Sequence, residues 1–393
     1  MKRDEAAREV GRGRGSGRSL PSAARRVATA QSASEPGPAR SGAASGAATG
    51  PAPDARRRVT ITDVARLAHV SLGTVSNVLN NANMVAPTTR QRVLEVIEET
   101  GFVRSKAAHQ LRRGSSRTIG VVLLDIANPF FTEMVRGMEH ALRDHGYVLI
   151  LCSSDESHRR ETSYLRVLEE HRVDGLLITP AARDLSGVAN VASHGIPTVL
   201  LDRDGTEHGL CSVTVDDVRG GELAAGHLIE RGHDHVVFVN GPTSIRQCAD
   251  RRRGARRALK ASRIAPVPLL TELTVPALTA RHGEEIVPEI LGLPTAPTAI
   301  MCANDLLALG VLRGVAAAGL AVPDQLSVIG YDDVTFASML SPSLSSVRQP
   351  QYEMGAAAAE LLLEEIGQAR HEHRQVRFEP ELVVRASTGR KAF

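Results

Sequence analysis

Short apolar runs alternate with amphipathic segments from residue 118 onward, and this alternation constrains the fold more than any other feature of the 393-residue chain. The apolar runs read TIGVVLLD, YVLILCSS, DGLLITP, IPTVLLD, VVFVNG, AIMCAND and LSVIGYDD. Segments such as EMVRGMEHALRDHG separate them and carry apolar residues at helical spacing. Strands that alternate with helices form parallel sheets covered on both faces. Residues 118–393 exceed one comfortable doubly wound sheet, so we predict two α/β lobes with a cleft between them.

Charge is distributed unevenly along the chain, although the net charge is only +3. Residues 1–58 contain 12 basic and 5 acidic residues, residues 59–117 contain 8 and 4, and the remainder contains 27 and 35. The N-terminal part therefore suits a polyanion and the C-terminal part does not. Residues 1–58 are rich in Ala, Arg, Gly, Ser and Pro without hydrophobic periodicity, so we predict a disordered tail.

Residues 59–81, VTITDVARLAHVSLGTVSNVLNN, are poor in large side chains and predict two short helices. Thr62 is expected to cap the first helix and Ser71 the second. A third helix is expected from about Thr88 to Thr100, with Gly101 as its stop. The apolar residues expected at helical spacing on the inner faces are Val64, Ala65, Leu67, Ala68, Val75, Val78, Leu79, Val93, Leu94 and Ile97. A tight turn between the first two helices describes an all-α helix-turn-helix unit, which we assign to residues 59–104.

The small side chains of this unit favour DNA reading. Ala65, Ala68, Gly73 and Ser76 are expected to let the two helices cross closely and to leave the second helix thin enough for a major groove. A capped surface helix explains any one of these residues, but not the whole stretch. We predict DNA contacts from Thr62, Ser71, Leu72, Gly73, Thr74, Ser76 and Asn77. Thr74, Ser76 and the helix amides suit phosphates, and Asn77 suits an adenine edge.

The string TITDVARLAHVSLGTVSNVLN resembles the headpiece of the lac repressor/galactose repressor (LacI/GalR) family of bacterial transcription regulators. The resemblance extends from about Val59 to the C-terminus. It implies a homodimeric, cytoplasmic regulator, typically a repressor, that binds a near-palindromic DNA operator. Its two lobes would be of the periplasmic-binding-protein type and would hold a small molecule, most often a sugar. His69 stands where the family usually has glycine, so a positive φ is expected there.

Residues 105–114, SKAAHQLRRG, resemble the hinge helix of the same family. We assign residues 105–117 to the hinge and its linker. By this resemblance Leu111 would wedge into a minor-groove base step, and Ala108 would lie at the contact between two hinges. An ordinary charged linker is the alternative.

The resemblance also implies a set of effector-binding residues within residues 118–393. They are Asn128, Phe130, Phe131, Asp202, Arg203, Arg251, Asp305 and Asp332. The phenylalanines would stack on an apolar face of a ring, or would simply pack in the core. The charged side chains would form ionic hydrogen bonds to a polyol. Asp333 suits either the cleft or a cap, and residues 263–285 match the family too poorly to assign contacts.

Several other classes of protein are disfavoured by the sequence. A sugar-binding protein of a transport system shares the two-lobed fold, but it would need an export signal and no headpiece. A dehydrogenase would need a glycine-rich turn after a strand, which TIGVVLLDIANPFF does not provide. No run of about 18 apolar residues predicts a membrane span. The cysteines (Cys152, Cys211, Cys248 and Cys302) form no CxxC pair, so we expect neither a disulfide framework nor a thiolate metal site, and no cofactor.

Overall fold

The computed structural model describes residues 59–103, 115–263, 267–368 and 370–391. The predicted tail, residues 1–58, and the hinge residues Ala108 and Leu111 lie outside the described residues. The described chain contains a three-helix unit and two α/β lobes, each built on a six-stranded sheet. The predicted fold class is confirmed.

The N-terminal unit consists of three helices that pack against one another around small aliphatic residues. They are α1 (Ile61–Leu67), α2 (Leu72–Asn80) and α3 (Pro87–Thr100), with a 3-10 turn at Ala82–Met84. Val64, Val75 and Val93 have no exposed surface, so one valine from each helix forms the centre of this small core. The predicted helices are confirmed.

One of the two predicted helix caps is confirmed and the other is wrong. Thr60, rather than Thr62, caps α1: its hydroxyl accepts from the Asp63 amide at 3.3 Å, and the Asp63 carboxylate accepts from the Thr60 amide at 2.9 Å. This reciprocal capping box satisfies two amides at once, which explains why the helix begins two residues earlier than predicted. Thr62 lies exposed in the first turn. The Ser71 cap is confirmed, since its hydroxyl accepts from the Thr74 amide at 3.1 Å.

The φ angles of His69 and Gly101 agree with the expectations from the sequence. The packing of Leu94, Leu67 and Gly73 contradicts them. His69 has φ 51°, as predicted for the turn, and Gly101 ends α3 with φ 62°. Leu94, predicted to face inward, is 44% exposed, and Leu67 is exposed as well. Gly73 is not at the helix crossing, because a Cβ added there would meet only the Ser71 hydroxyl, at 3.7 Å. A unit this small buries one side of each helix and leaves neighbouring apolar positions at the surface.

Lobe 1 is built on a parallel sheet with strand order β11-β5-β4-β3-β1-β2. Its elements are β1 (Thr118–Leu123), α4 (Pro129–Arg143), β2 (Val148–Ser153), α5 (His158–Glu170), β3 (Gly175–Ile178), α6 (Ser186–Ser193), β4 (Thr198–Leu201), a 3-10 turn (Thr206–His208), β5 (Cys211–Val215), α12 (Gln351–Gly367) and β11 (Gln375–Phe378). Helix α12 packs against α4 on one face of the sheet, and α5 and α6 cover the other face.

Lobe 2 repeats this design with strand order β12-β10-β9-β8-β6-β7, in which only the short β12 pairs antiparallel. Its elements are α7 (Asp217–Glu230), β6 (His235–Asn240), α8 (Arg246–Ala261), β7 (Leu269–Thr274), α9 (Ala280–Glu285), α10 (Val287–Leu291), β8 (Ala299–Cys302), α11 (Asp305–Ala317), β9 (Ser327–Asp332), a 3-10 turn (Thr335–Ser338), β10 (Ser345–Arg348) and β12 (Glu381–Val383). Its core is centred on β6, β8 and β9, whose apolar residues are buried.

All seven apolar runs recognised in the sequence form strands, but five further strands were not predicted. The missed strands β5, β7, β10, β11 and β12 are short or carry several polar residues, so their hydrophobic signal is weak. Residues 263–285, which could not be interpreted, contain β7 and the whole of α9.

The strand orders determine where a ligand cleft lies. In each sheet the winding direction reverses beside the first strand, at β1/β3 in lobe 1 and at β6/β8 in lobe 2. Loops diverge at such a switch point and leave a crevice at the carboxyl ends of the strands. The described chain also passes between the lobes after β5, β10 and β11. The loops that follow β1 and β8 therefore border the crevice between the lobes.

Candidate functional site

The start of α2 presents an exposed surface that is unusual for so small a unit. Leu72 is 51% exposed, and Gly73 and Asn77 are exposed beside it. Residues Leu72 and Asn77 lie on the side of α2 opposite to the buried Val75 and Val78. An apolar side chain and an amide at one helix N-terminus can contact a thymine methyl group and an adenine edge.

Hydroxyl groups surround the same helix N-terminus. The hydroxyls of Ser71 and Thr74 lie 2.9 Å apart, and Ser71 also accepts from the Thr74 amide. The side-chain amide nitrogen of Asn80 donates to the Ser76 backbone carbonyl oxygen at 2.7 Å. Hydroxyls together with helix N-terminal amides are suited to hold a phosphate in register. The predicted residues Ser71, Thr74 and Ser76 are therefore grouped on one short helix, with the exposed Thr62 on α1.

Six of the eight predicted effector residues line one small cavity between the lobes. Lobe 1 contributes Asn128, Phe130, Phe131 and Asp202, which follow β1 and β4, and lobe 2 contributes Arg251 and Asp332. These side chains come from distant parts of the sequence and meet because the loops after β1 and β4, the end of β9 and helix α8 converge on the cleft.

Arg251 is the centre of the cavity wall and is itself buried. Its Nε donates to Asp217 at 2.8 Å, one terminal nitrogen donates to the Ala303 carbonyl oxygen at 2.6 Å, and the same nitrogen lies 3.7 Å from the Asp332 carboxylate. The guanidinium carbon stacks 3.6 Å from the centroid of the Tyr331 ring. This network holds the planar guanidinium in one orientation toward the cleft.

The helix that carries Arg251, α8, reaches this position because Gly254 and the facing Gly221 of α7 lack side chains. A Cβ on Gly254 would lie 2.0 Å from the Val218 carbonyl oxygen, and a Cβ on Gly221 would lie 2.1 Å from the Arg251 carbonyl oxygen. Only glycine allows α7 and α8 to pack backbone against backbone at these two points.

Buried carboxyl groups outnumber the buried guanidinium at this site. Burial raises the pKa of Asp202 to about 7, with repulsion from Asp217 adding to the effect and Arg251 opposing it. Burial likewise raises the pKa of Asp332 to about 6 although Arg251 lowers it, and burial also raises the pKa of Asp217. Asp202 Oδ1 is buried and has no hydrogen-bond partner among the described residues. The cavity wall therefore contains several buried acceptors, and one of them, Asp202 Oδ1, lacks a donor among the described residues.

Asn128 and the two phenylalanines form the lobe 1 side of the cavity. The Asn128 side-chain oxygen caps α4 by accepting from the Phe130 amide at 3.0 Å, and its nitrogen lies 3.5 Å from the Asp332 carboxylate in lobe 2. Phe130 and Phe131 are buried in the lobe 1 core with their rings edge to face, 5.0 Å between centroids. They pack in the core, as one of the two sequence-based alternatives expected, and they also border the cleft, while stacking on a ligand ring stays a prediction.

Arg203 and Asp305 are not brought to this cavity. Arg203 is partly exposed, donates to the Arg183 carbonyl oxygen and lines a separate, highly charged pocket of about 350 Å³. Asp305 lies behind the wall with no exposed surface, and its two oxygens accept from the Ser346 hydroxyl at 2.6 Å and the Val334 amide at 2.9 Å. The expectation that Asp305 faces the ligand is wrong for this structure, because its carboxylate joins α11 to the ends of β9 and β10.

Several residues of the cavity were missed from the sequence. Glu156, Gln247 and Asn304 line it, and Asp217 fixes Arg251 from behind. Gln247 forms a hydrogen bond to Asp202 across the cleft, which lowers the pKa of that carboxyl. Asn304 directly precedes the predicted Asp305 and follows β8, so its place after a strand could have identified it.

The two lobes are closed on each other in this structure. The cavity at the switch points measures only about 40 Å³, whereas sites for small organic ligands occupy roughly 300 to 1,000 Å³. Arg183 in lobe 1 donates to the Thr243 carbonyl oxygen in lobe 2 at 3.1 Å, which adds to the contacts of Asn128 and Asp202. A ligand larger than a few water molecules therefore cannot enter this cavity unless the lobes separate.

The residues that follow the hinge segment are fastened to lobe 1 by one carboxylate. Asp174 accepts from the Ser116 amide at 2.7 Å, the Ser116 hydroxyl at 2.9 Å and the Arg117 amide at 3.0 Å, and also from the Ser115 hydroxyl. Asp174 immediately precedes β3, so lobe 1 controls the position from which the hinge segment leaves.

Asp333, left open between a cleft and a capping role, lies outside the cavity wall. Its carboxylate contacts Arg348 at 2.8 Å and Arg385 at 2.6 Å, so it ties β9 to β10 and to the C-terminal segment.

Across the described ranges, no helix is both long enough and apolar enough to cross a membrane.

Comparison with known proteins identifies relatives of both parts of the chain. The family model "Bacterial regulatory proteins, lacI family" matches residues 60–105, and "Periplasmic binding protein-like domain" matches residues 225–388. The chain is 35% identical over 329 residues to the HTH-type transcriptional repressor PurR of Aliivibrio salmonicida, which covers 84% of this chain and 98% of that protein.

Solved structures show the same similarity. A LacI family transcriptional regulator from Enterococcus faecium with bound ribose is 33% identical, covers 70% of this chain and 99% of its own, and has a TM-score of 0.64. The lac repressor dimer bound to operator and the anti-inducer ONPF is 27% identical, covers 85% of this chain and 100% of its own, and has a TM-score of 0.70.

Proposed function

The chain belongs to the LacI/GalR family of bacterial transcription regulators, and from that premise we propose that it is a dimeric cytoplasmic repressor whose hold on a near-palindromic operator is controlled by a sugar bound between its lobes. It acts by binding rather than by catalysis. The observation that carries the proposal is the combination of an exposed α2 N-terminus with a closed cleft rich in buried acceptors.

For operator reading, we assign base contacts to Leu72, Gly73 and Asn77 and phosphate contacts to Thr62, Ser71, Thr74 and Ser76. The exposure of the first group and the grouped hydroxyls of the second support this division. Leu111 and Ala108 keep their proposed roles at the minor groove and at the contact between hinges. Replacing Leu111 by Ala would weaken operator binding while leaving ligand affinity intact.

For the effector, we assign the cavity residues Asn128, Phe130, Phe131, Asp202, Arg251 and Asp332. Three buried carboxyl groups around one guanidinium favour an uncharged ligand with hydrogen-bond donors, since a hydroxyl donor can satisfy Asp202 Oδ1, which has no donor among the described residues. A pentose or hexose has this chemistry and an apolar ring face for the phenylalanines. The ribose-bound relative supports the same class.

For the dimer, both sheets end in an edge strand with exposed apolar side chains. In β2, Val148 is 60% exposed and Ile150 and Leu151 are also exposed, and in β7 Leu269 is 49% exposed. An uncovered apolar edge strand is a strong site of association, and the lac repressor structure is a dimer. We therefore propose that β2 and β7 lie at the interface between two copies.

A ligand that binds between the lobes changes operator affinity because it favours one arrangement of the lobes. Since Asp174 fastens the hinge exit to lobe 1, a change in lobe 1 orientation within a dimer alters the separation of the two hinge segments. Coupling free energies of this kind are typically about 1 to 3 kcal/mol, which is about 5- to 150-fold in affinity.

A thermal-shift screen with pentoses, hexoses, polyols and nucleobases tests the effector assignment. A cleft ligand at 100 times its Kd stabilises the folded chain by about 2.7 kcal/mol. The stabilisation should require Arg251 and should be retained when the partly exposed Arg203 is replaced by Ala. A sugar that stabilises the Arg251→Met variant as strongly as the wild-type chain would place the effector elsewhere.

A further inference from the structure

Four side chains able to bind a metal ion converge at one edge of the lobe 1 sheet. Cys211 begins β5, Glu365 lies near the end of α12, and His371 and His373 lie in the segment that leads into β11. One ligand atom from each residue, a sulfur, a carboxylate oxygen and two ring nitrogens, lies within 4.8 Å of all the others. This cluster is separate from the cleft and from the DNA-reading helices.

The sheet itself brings these residues together. Strand β11 runs parallel to β5 with Gln375 opposite Ser212, and the Ser212 amide donates to the Arg374 carbonyl oxygen at 3.1 Å. The residues just before β11 therefore run alongside Cys211. In extended chain, residues two apart point to the same side, so His371 and His373 both face the sulfur.

The distances match a tetrahedral ion. Cys211 Sγ lies 3.0 Å from His371 Nε2 and 3.8 Å from His373 Nδ1. With metal–sulfur and metal–nitrogen bonds of about 2.3 and 2.1 Å, a tetrahedral site separates sulfur from nitrogen by about 3.6 Å. These two distances fall on either side of this value, and the remaining pairs of ligand atoms lie within 4.8 Å of each other.

The sulfur and one carboxylate oxygen of the cluster are withdrawn from solvent, and that oxygen is unsatisfied. Cys211 has no exposed surface, and Glu365 Oε2 is buried without a hydrogen-bond partner in the described ranges. The Arg374 amide donates to Cys211 Sγ at 3.4 Å, an outer contact of the kind that supports metal ligands.

We propose that Cys211, Glu365, His371 and His373 bind one Zn²⁺ ion that fastens β11 to β5 and α12. A thiolate, a carboxylate and two neutral imidazoles balance the charge of a divalent ion, and this mixture of sulfur, nitrogen and oxygen donors suits zinc. Binding displaces the thiol proton, and any carboxyl proton, to solvent.

The role of this ion is structural rather than catalytic. Four protein ligands fill a tetrahedral shell and leave no position for a substrate. Strand β11 is an edge strand that carries Gln375 and Arg377 along the charged pocket between the lobes. An ion at its start holds the chain in place where it returns from α12 to the sheet.

The alternative is a metal-free thiol–imidazole hydrogen bond, and metal titration separates the two. Tag-free full-length protein is stripped with a chelator and titrated with Zn²⁺ against a chromophoric competitor, and then with Co²⁺ as a spectroscopic probe. The test variants are Cys211→Ser and His373→Asn, the second of which replaces an exposed residue and should fold normally. Matched controls are Cys152→Ser, at the opposite end of the same sheet, and the exposed His194→Asn.

The wild-type chain and both controls should bind one equivalent of Zn²⁺, and their Co²⁺ forms should show a thiolate-to-metal charge-transfer band with tetrahedral visible bands. Loss of a ligand should weaken binding by more than about 100-fold, the upper end for outer-shell changes. Zn²⁺ should also raise the Tm of the wild-type chain but not of His373→Asn. A chain that binds no stoichiometric Zn²⁺, or binding that survives both test variants within twofold, would overturn the proposal.

Discussion

Asp202 provides the sharpest test of the electrostatics of the cleft, through the substitution Asp202→Asn. The carboxyl is buried beside Asp217 and Asp332, with one oxygen unpartnered, and its pKa is raised from 3.8 to about 7. A raised folded-state pKa means that the folded chain holds the proton more tightly than the unfolded chain. The contribution of Asp202 to the free energy of unfolding therefore falls as pH rises from about 4 to about 7. Asparagine removes this contribution of Asp202 to the pH dependence of stability.

The magnitude follows from the size of the shift. Each pH unit between the two pKa values changes the free energy of unfolding by about 1.4 kcal/mol, so the full penalty above pH 7 is about 4 kcal/mol. Between pH 5 and pH 8 the stability advantage of the asparagine variant should grow by about 3 kcal/mol. Ligand-free protein is required, because a bound donor would satisfy the carboxylate.

Denaturant unfolding of the wild-type chain and of Asp202→Asn at half-unit intervals from pH 5 to pH 8 measures this difference. The matched control is Asp184→Asn. Asp184 is exposed, and hydrogen bonds from Ser186 lower the pKa of its carboxyl, so this carboxyl stays ionised from pH 5 to pH 8. If the difference between wild-type and Asp202→Asn protein stays constant across the window, Asp202 ionises as an ordinary aspartate and the acceptor-rich cleft is refuted.

Three further predictions address the other parts of the molecule. Asn77→Ala should cost about 1 to 3 kcal/mol of discrimination between the operator and a single-base mismatch, measured by fluorescence anisotropy. Asp305→Ala should lower the free energy of unfolding by about 1 to 3 kcal/mol, measured in denaturant, because the Ser346 hydroxyl and the Val334 amide lose their buried acceptor. Ile150→Arg should shift the dimer toward monomer, measured by light scattering after size exclusion, because a buried unpaired charge opposes association.

Each of these predictions has a contradicting result, and the Asn77 and Ile150 substitutions also have matched controls. Asn80→Ala alters the same helix away from its N-terminus, and equal discrimination by the Asn77→Ala variant and the wild-type chain would remove the base contact. Asp305→Ala with unchanged stability but no ligand response would restore Asp305 to the cleft. Met339→Arg places a charge on another exposed apolar residue, so an unaltered dimer in Ile150→Arg would move the interface away from β2.

Much of the fold follows from the sequence because its strongest signals coincide with its most buried elements. The seven apolar runs form buried or central strands almost without exception, and Ser71 and Gly101 mark helix ends through local hydrogen bonds and φ alone. Strands such as β10 and β11 depend on pairing with strands that are distant in the sequence. No local hydrophobic periodicity predicts that pairing.

The cleft was predictable to the extent that position after a strand determines it. Asn128, Asp202 and Asp332 follow strands and reach the cavity, as the switch-point rule requires. Asp305 also follows a strand, but Asn304 before it takes the cap of α11 and the place in the cavity wall, which turns Asp305 inward. A difference of one residue at a helix start reverses which side chain faces the ligand.

The proposed metal cluster was missed for a different reason. The expectation of no thiolate site came from the absence of a CxxC pair. The proposed ligands, however, come from β5, α12 and the segment that leads into β11, and the cysteine lies more than 150 residues before the other three. The only local signal is His371-Glu372-His373, and its meaning depends on the pairing of β11 with β5, which the sequence does not reveal.

The central claim is that operator reading by the headpiece depends on the occupant of the cleft. The most direct measurement is the affinity of the full-length protein for its selected operator duplex and for a scrambled duplex, at fixed moderate salt, with and without the sugar found by thermal shift. We predict at least about a 1,000-fold preference for the operator and a change of about 5- to 150-fold on adding the sugar. Equal affinity for the two duplexes, or operator affinity indifferent to a sugar that occupies the cleft, would contradict the account.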